Sequence, residues 1–152
     1  MDNIRDNNWL EDKLFDLWEN NFNDVPRKNL VIIKFGKGAG RQLGCIRMAT
    51  RKTRGISKKL NQLDQEDIKN VSVITITKYF QDQSVPEEVV LGTIAHELCH
   101  YAHGFNSPLQ QIYDHPHKGG VIRKEMKKRG LEEMYRDRKS TRLNSSHLGI
   151  SY

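Results

Sequence analysis

The stretch from Thr93 to Gly104 reads TIAHELCHYAHG, and the rest of the sequence is best interpreted outward from it. It contains the pattern His-Glu-x-x-His, formed by His96, Glu97 and His100. On a helix, residues four apart lie on one face with their Cβ atoms about 6 Å apart, so both imidazoles can reach one metal ion. Glu97 lies about 100° further round the helix, where it can accept a proton from water at that ion. The pattern predicts a zinc site with a general base beside it.

The residues before and within this pattern predict a buried helix. Ser84 and Glu87 have the three-residue spacing of a capping box, and Pro86 and Glu88 also suit a first helical turn. The following turns are largely apolar, at Val89, Val90, Leu91, Ile94, Ala95 and Leu98. Gly104 suits the end of the helix. Buried imidazoles and carboxylates are costly unless something satisfies them, which favours a metal site over two incidental surface histidines.

The composition of the chain predicts one soluble domain. Its 152 residues suffice for one hydrophobic core but hardly for two. No apolar run approaches the roughly 20 residues that span a bilayer, and the polar N-terminus lacks a signal peptide. The two cysteines, Cys45 and Cys99, form no C-x-x-C pair, which argues against a disulfide framework or a zinc ribbon. We expect a cytoplasmic monomer with no membrane partner, in which Cys99 packs in the core.

The end of the chain resembles a translated sequencing adapter. The run from Asp137 to His147 reads DRKSTRLNSSH, and after two variable positions it is followed by Ile150, Ser151 and Tyr152. We therefore expect a natural domain over residues 1–136, which the join would truncate, and a non-native, disordered tail over residues 137–152. His147 is accordingly excluded as a metal ligand.

Periodicity predicts the other helices. The region from about Trp9 to Phe22 is amphipathic, and we expect this helix to back a sheet. Its apolar stripe consists of Leu10, Leu14, Leu17 and Trp18. A short helix with a basic face is predicted over residues 121–131, ended by Gly130.

Three runs predict strands, over residues 30–35, 42–49 and 71–77. The glycine-rich stretch 36–40 lacks the G-K-[ST] ending of a phosphate-binding loop, so we expect a hairpin turn joining the first two strands. The third run alternates apolar and small polar residues, as a half-buried strand does. These elements predict an α+β fold, in which a small, three-stranded, mainly antiparallel sheet packs on the N-terminal helix and the His-Glu-x-x-His helix.

A catalytic zinc needs a third protein ligand, and three histidines follow the pattern. His103 lies about 10 Å along the helix from His96, so we expect it to cap the helix or face solvent. His115 and His117 occupy a loop that can fold back, and the Gly119–Gly120 pair after His117 allows close approach. We prefer His117 and keep His115 as the alternative.

A basic cluster spans the end of the second strand and the loop that follows it. It consists of Arg47, Arg51, Lys52, Arg54, Lys58 and Lys59. Such a stretch can follow a phosphate backbone, so DNA is a candidate partner through the segment from Arg47 to Lys59. The alternative is a solvated loop, because aromatic residues are few there.

Together, these features resemble the SprT-like family of zinc metallopeptidases, which includes the Spartan-type DNA–protein crosslink proteases of DNA repair. The similarity runs from about Leu30 to Leu131. It implies a zincin-like fold, zinc held by His96, His100 and His117, and Glu97 as the general base. It also implies an edge strand that pairs with a protein or peptide substrate. The chain departs from many members at residues 115–121, where it has Val121 in place of the usual aromatic residue.

Three hypotheses follow for the function. The first is a zinc endopeptidase, whose substrates could be DNA-associated proteins. The second is a DNA-binding or adaptor module with a structural zinc site. The third is a zinc amidase acting on non-peptide substrates, since Glu97 predicts hydrolysis without specifying the amide.

Overall fold

The computed structural model describes residues 4–37, 42–50, 53, 70–137 and 139. The elements follow the chain as α1 (Asn7–Asn21), β1 (Leu30–Phe35), β2 (Gly44–Met48), β3 (Val71–Ile76), α2 (Glu87–Ala102) and α3 (Val121–Lys128). Short 3₁₀ turns, Lys78–Gln81 and Lys118–Gly120, precede α2 and α3. Residues 132–137 are also helical. The predicted α+β class is confirmed, with the sheet packed against α1 and α2.

The three strands form a mixed sheet in the order β1-β3-β2. β3 pairs with β1 in parallel and with β2 in antiparallel orientation. The expected hairpin between β1 and β2 is therefore wrong, as is a mainly antiparallel sheet, because β3 lies between these two strands. Residues 38–41 of the glycine-rich turn lie outside the described residues. The consequence for the site is that, among the strands of the described residues, β2 lies at an edge of the sheet.

The central strand β3 is buried on both faces, so the prediction of a half-buried strand is wrong. Every residue of β3 except Thr75 is buried. Ile74 and Ile76 join the main core under the helices, whereas Val71 and Val73 belong to a second cluster on the opposite face. A strand between two others has its backbone N–H and C=O groups hydrogen-bonded to both neighbours, so it can lie in the interior. Small polar side chains on it can also be buried if they are hydrogen-bonded.

Helix α1 confirms the predicted amphipathic stripe. The Asp6 side chain accepts the Trp9 N–H at 2.8 Å and caps the helix. The buried residues are those predicted, namely Leu10, Leu14, Leu17 and Trp18. This face packs against β1, so α1 backs the sheet as expected.

Helix α2 begins later than the capping-box pattern predicts. It starts at Glu87, and Pro86 at its N-cap makes no side-chain capping bond. The Ser84 N–H instead donates to the Asp82 carboxylate at 2.8 Å, so Ser84 belongs to the preceding turn. Glu87 and Glu88 still lie in the first turn, where acidic side chains favour the helix dipole.

Helix α2 ends at Ala102, and Gly104 stops it as predicted, directly after the C-cap residue His103. Gly104 has a φ of +85°. Its N–H donates to the Tyr101 carbonyl, and the Phe105 N–H donates to the His100 carbonyl, as in a Schellman motif. A side chain at position 104 would also lie 2.5 Å from the backbone of Gln110. Glycine therefore turns the chain sharply just after the two histidines.

Helix α3 forms where the sequence predicts a short basic helix, but it ends at Lys128. Gly130, with a φ of +77°, follows it. Ile122 and Met126 are its buried residues. In the described part of the chain, no helix combines the length and apolar character needed to cross a membrane.

Candidate metal centre

Helix α2 presents His96 and His100 on one face. The two side chains are 7% and 5% exposed, and their ring centroids lie 4.8 Å apart in an edge-to-face arrangement. Both histidines lie in the most buried part of the helix, where neighbouring turns pack in the core. The fold therefore brings the two imidazoles together on one face of the helix, as the sequence pattern predicts.

The loop before α3 brings His117 to these two residues. Its ring centroid lies 5.4 Å from that of His96 and 4.6 Å from that of His100. Gly119 and Gly120 both have positive φ values, which lets the chain turn from His117 directly into α3. His117 is exposed, whereas the other two are buried. His115 is also exposed and is not part of this group.

The three imidazoles fit a metal ion. One ligand atom from each lies within 4.8 Å of the others. The Nε2 atoms of His96 and His117 are 3.3 Å apart. Two nitrogens at about 2.0–2.1 Å from a tetrahedral zinc would be roughly 3.3–3.4 Å apart, so this distance suits two ligands of one ion. Imidazole is a ligand for zinc and for copper, iron and nickel. The cluster is therefore a possible metal site that does not by itself specify the metal.

Glu97 lies beside the three histidines and close to strand β2. Its side chain is 3% exposed. A methyl group at position 44 would lie 3.4 Å from Glu97 Oε2 and 2.8 Å from Thr93 Cγ2. Glycine at position 44 therefore lets the helix and the carboxylate approach the strand. Sequence reasoning missed this role of Gly44, because only the packing of β2 on α2 reveals it.

These groups open into one cleft of about 650 Å³. His96, Glu97, His100 and His117 line it together with residues of β2. Phe105 also lines it and packs edge-on against His100, with ring centroids 6.3 Å apart. The candidate metal site thus lies in a cleft wide enough for a substrate, beside the edge of the sheet.

His103 has a different role from the other histidines. It is the C-cap residue of α2, which confirms the first of its two expected roles. It is only 1% exposed, so the alternative, a position facing solvent, is wrong. Its Nε2 atom lies 2.8 Å from Glu125 Oε1 on α3. Arg129 Nε donates to the other oxygen of Glu125 at 3.0 Å, and the Arg129 guanidinium also pairs with Asp24. This network, which is buried at His103 and exposed at Asp24, joins α2, α3 and the turn after α1.

The two cysteines differ in their relation to this cleft, which Cys45 lines and Cys99 does not. Cys99 is fully buried in the main core as predicted, and burial raises the pKa of its thiol. Of the basic cluster, Arg47 is described, exposed and at the cleft; its other members, at positions 51–59, lie outside the described residues.

Comparison with known proteins gave no match among family models, curated proteins or solved structures. The resemblance to SprT-like metallopeptidases therefore rests on the residues and on the order of the elements.

Proposed function

We propose that the protein is a zinc-dependent metallopeptidase of the SprT-like kind. In this proposal His96, His100 and His117 hold the zinc ion, and Glu97 is the general base. The observation that carries it is the meeting of three imidazoles and a buried carboxylate in one cleft, beside an edge strand.

The donor set favours a catalytic site over a structural one. Structural zinc sites usually have four protein ligands, whereas catalytic sites have three and one open position. Among the described residues, the group has three members, and its exposed member, His117, faces the cleft. This favours hydrolysis over an adaptor module with a structural zinc site.

The residues of the cleft would divide the chemistry between them. Zinc, when bound, would polarise a carbonyl group and lower the pKa of water. Glu97 would accept a proton from the attacking water and pass it to the departing amine. Glu97 is buried close to Gly44, and this packing restricts the orientations that its carboxylate can adopt.

Strand β2 favours a peptide over a small amide as the substrate. It is an edge strand that lines the cleft. An extended peptide can add to such an edge through main-chain hydrogen bonds, which would place a peptide bond next to the histidines and Glu97.

The decisive variant is Glu97→Gln, compared with Glu88→Gln at an exposed position in the first turn of the same helix. We expect Glu97→Gln to retain wild-type zinc stoichiometry and to lose peptide cleavage by at least about 10²-fold, because glutamine cannot accept the proton. Glu88→Gln should keep both properties. An active Glu97→Gln protein would contradict the mechanism.

A narrower proposal is that the substrates are DNA-associated proteins. It derives from the resemblance and from the basic segment that begins at Arg47. Its test is cleavage of a basic protein with and without DNA at two salt concentrations. DNA stimulation that falls steeply with salt supports it, and indifference to DNA contradicts it.

A further inference from the structure

A chain of hydrogen bonds crosses the molecule from helix α2 to the outer edge of β2. The Tyr101 hydroxyl donates to Asn29 Oδ1 at 2.6 Å, and Asn29 Nδ2 donates to Ser72 Oγ at 2.9 Å. Ser72 Oγ in turn donates to the backbone carbonyl of Asn106 at 2.7 Å. Finally, Asn106 Nδ2 donates to the carbonyl of Ile46 at 3.0 Å. The Ser72 hydroxyl also lies 3.8 Å from Met48 Sδ, but the Asn106 carbonyl is the closer acceptor, so hydrogen bonds from inside the protein hold Asn106 in place.

The inner part of this chain is firmly held. Tyr101 and Ser72 are both fully buried. Asn106 itself has a φ of +54° and is the one non-glycine residue with a positive φ in the described part of the chain. Asparagine tolerates this conformation better than most residues do, so backbone and side chain both suit the position.

The carbonyl that Asn106 contacts belongs to the edge of β2 with which no other described strand pairs. The Leu43 carbonyl accepts the Thr77 N–H, and the Ala49 N–H donates to the Val71 carbonyl. Since alternate residues of an antiparallel pair bond to the neighbour, odd-numbered positions of β2 face β3. The N–H and C=O groups of Gly44, Ile46 and Met48 therefore point away from β3.

We propose that Asn106 sets where the peptide-pairing edge of β2 ends, and so limits how many substrate residues bind on one side of the cleaved bond. This inference rests on the proposed peptidase function. The side-chain amide of Asn106 donates a hydrogen bond to the Ile46 carbonyl, in place of the backbone N–H of a substrate. A peptide can then pair with Gly44, beside Glu97, and with the Ile46 N–H, but not further towards Met48. The substrate class is therefore a short extended segment on that side, such as a chain end or a loop.

The test compares zinc-loaded wild type with Asn106→Gly, which keeps the positive φ and removes the amide. Both are incubated with a proteome-derived peptide mixture, and the cleavage products are identified by mass spectrometry. One cleaved peptide is then shortened from each end, and kcat and KM are measured for every length. Asn106→Asp is the second variant, because it keeps the side-chain size but puts a carboxylate against the Ile46 carbonyl. Asn23→Ala, in the exposed turn after α1, is the matched control.

For wild type and the control, we expect KM to stop depending on length beyond about two residues on one side of the cleaved bond. For both Asn106 variants, further residues on that side should lower KM by about 2–10-fold, the effect of one more hydrogen bond, with little change in kcat. Variants with the same length dependence as wild type overturn this inference alone. If the wild-type protein binds zinc but cleaves no peptide, the proposed peptidase function is wrong as well. Failure of the inference about Asn106 can therefore be told apart from failure of the proposed function.

Discussion

His96 and His117 are 21 residues apart in sequence, yet their Nε2 atoms lie 3.3 Å apart. His96 is fixed within a buried helix, whereas His117 is delivered by a loop that turns through two glycines with positive φ. Because one ligand lies on α2 and the other on the loop that leads into α3, the metal site depends on the packing of α3 against α2.

The first prediction concerns the third ligand. His117→Ala should bind zinc at least 10-fold more weakly than wild type, because an imidazole close to the other two would be lost. His115→Ala should keep wild-type affinity, since His115 lies outside the group. Metal analysis after dialysis against a weak chelator measures both. Zinc loss in His115→Ala alone would contradict this assignment.

The second prediction concerns Gly44. A methyl group there would lie 2.8 Å from Thr93 Cγ2 and 3.4 Å from Glu97 Oε2. We expect Gly44→Ala to lower the free energy of unfolding by about 1–3 kcal/mol and to reduce activity while zinc is retained, since Thr93, on the helix that carries Glu97, must shift. Chemical denaturation and zinc analysis measure these effects.

Thr93→Ser provides a matched test of the same contact. It removes the methyl group but keeps the hydroxyl, which donates to the Val89 carbonyl at 2.9 Å. In a double-mutant cycle, Thr93→Ser should restore part of the stability lost in Gly44→Ala. Strictly additive losses would show that the Thr93 contact is not the cause.

The third prediction concerns the network around Glu125. Its carboxylate, 13% exposed, faces both His103 and Arg129. Glu125→Ala should lower the free energy of unfolding by about 1–3 kcal/mol, because the buried His103 Nε2 loses its partner whereas Arg129 keeps Asp24. Glu87→Ala is the control. Its exposed pair with Lys13 should contribute less than about 1 kcal/mol. Equal losses in the two variants would contradict the role assigned to the network.

The fourth prediction concerns pH. A hydrogen bond from the Arg129 guanidinium holds the pKa of Asp24 below its ordinary value of 3.8. A lowered pKa in the folded state stabilises the protein above the ordinary value, and this stability is lost as the pH falls through the lowered pKa. Since Asp24 is 61% exposed, the effect should be below about 1 kcal/mol.

Asp24→Asn should therefore be slightly less stable than wild type at neutral pH, and the difference should vanish in acid below the lowered pKa. Urea denaturation at several pH values measures it. A difference that persists unchanged below that range would show that charge is not responsible.

The sequence by itself determined the elements and the local part of the site. The apolar stripe of α1, the three strands and the positions of Gly104 and Gly130 follow from periodicity and glycine chemistry, which act over a few residues. The spacing of His96, Glu97 and His100 likewise needs only the pitch of a helix.

Tertiary structure decided how those elements meet. The sequence suggested that β1 and β2 pair, but β3 lies between them, because strand pairing depends on contacts between distant segments. Contacts across long sequence separations bury His103, bring Gly44 close to Glu97 and join Asn106 to β2 by a hydrogen bond. Local sequence patterns predict which helix or strand forms along one stretch of chain, whereas packing decides which distant side chains come into contact. The contact between His96 and His117 depends on packing.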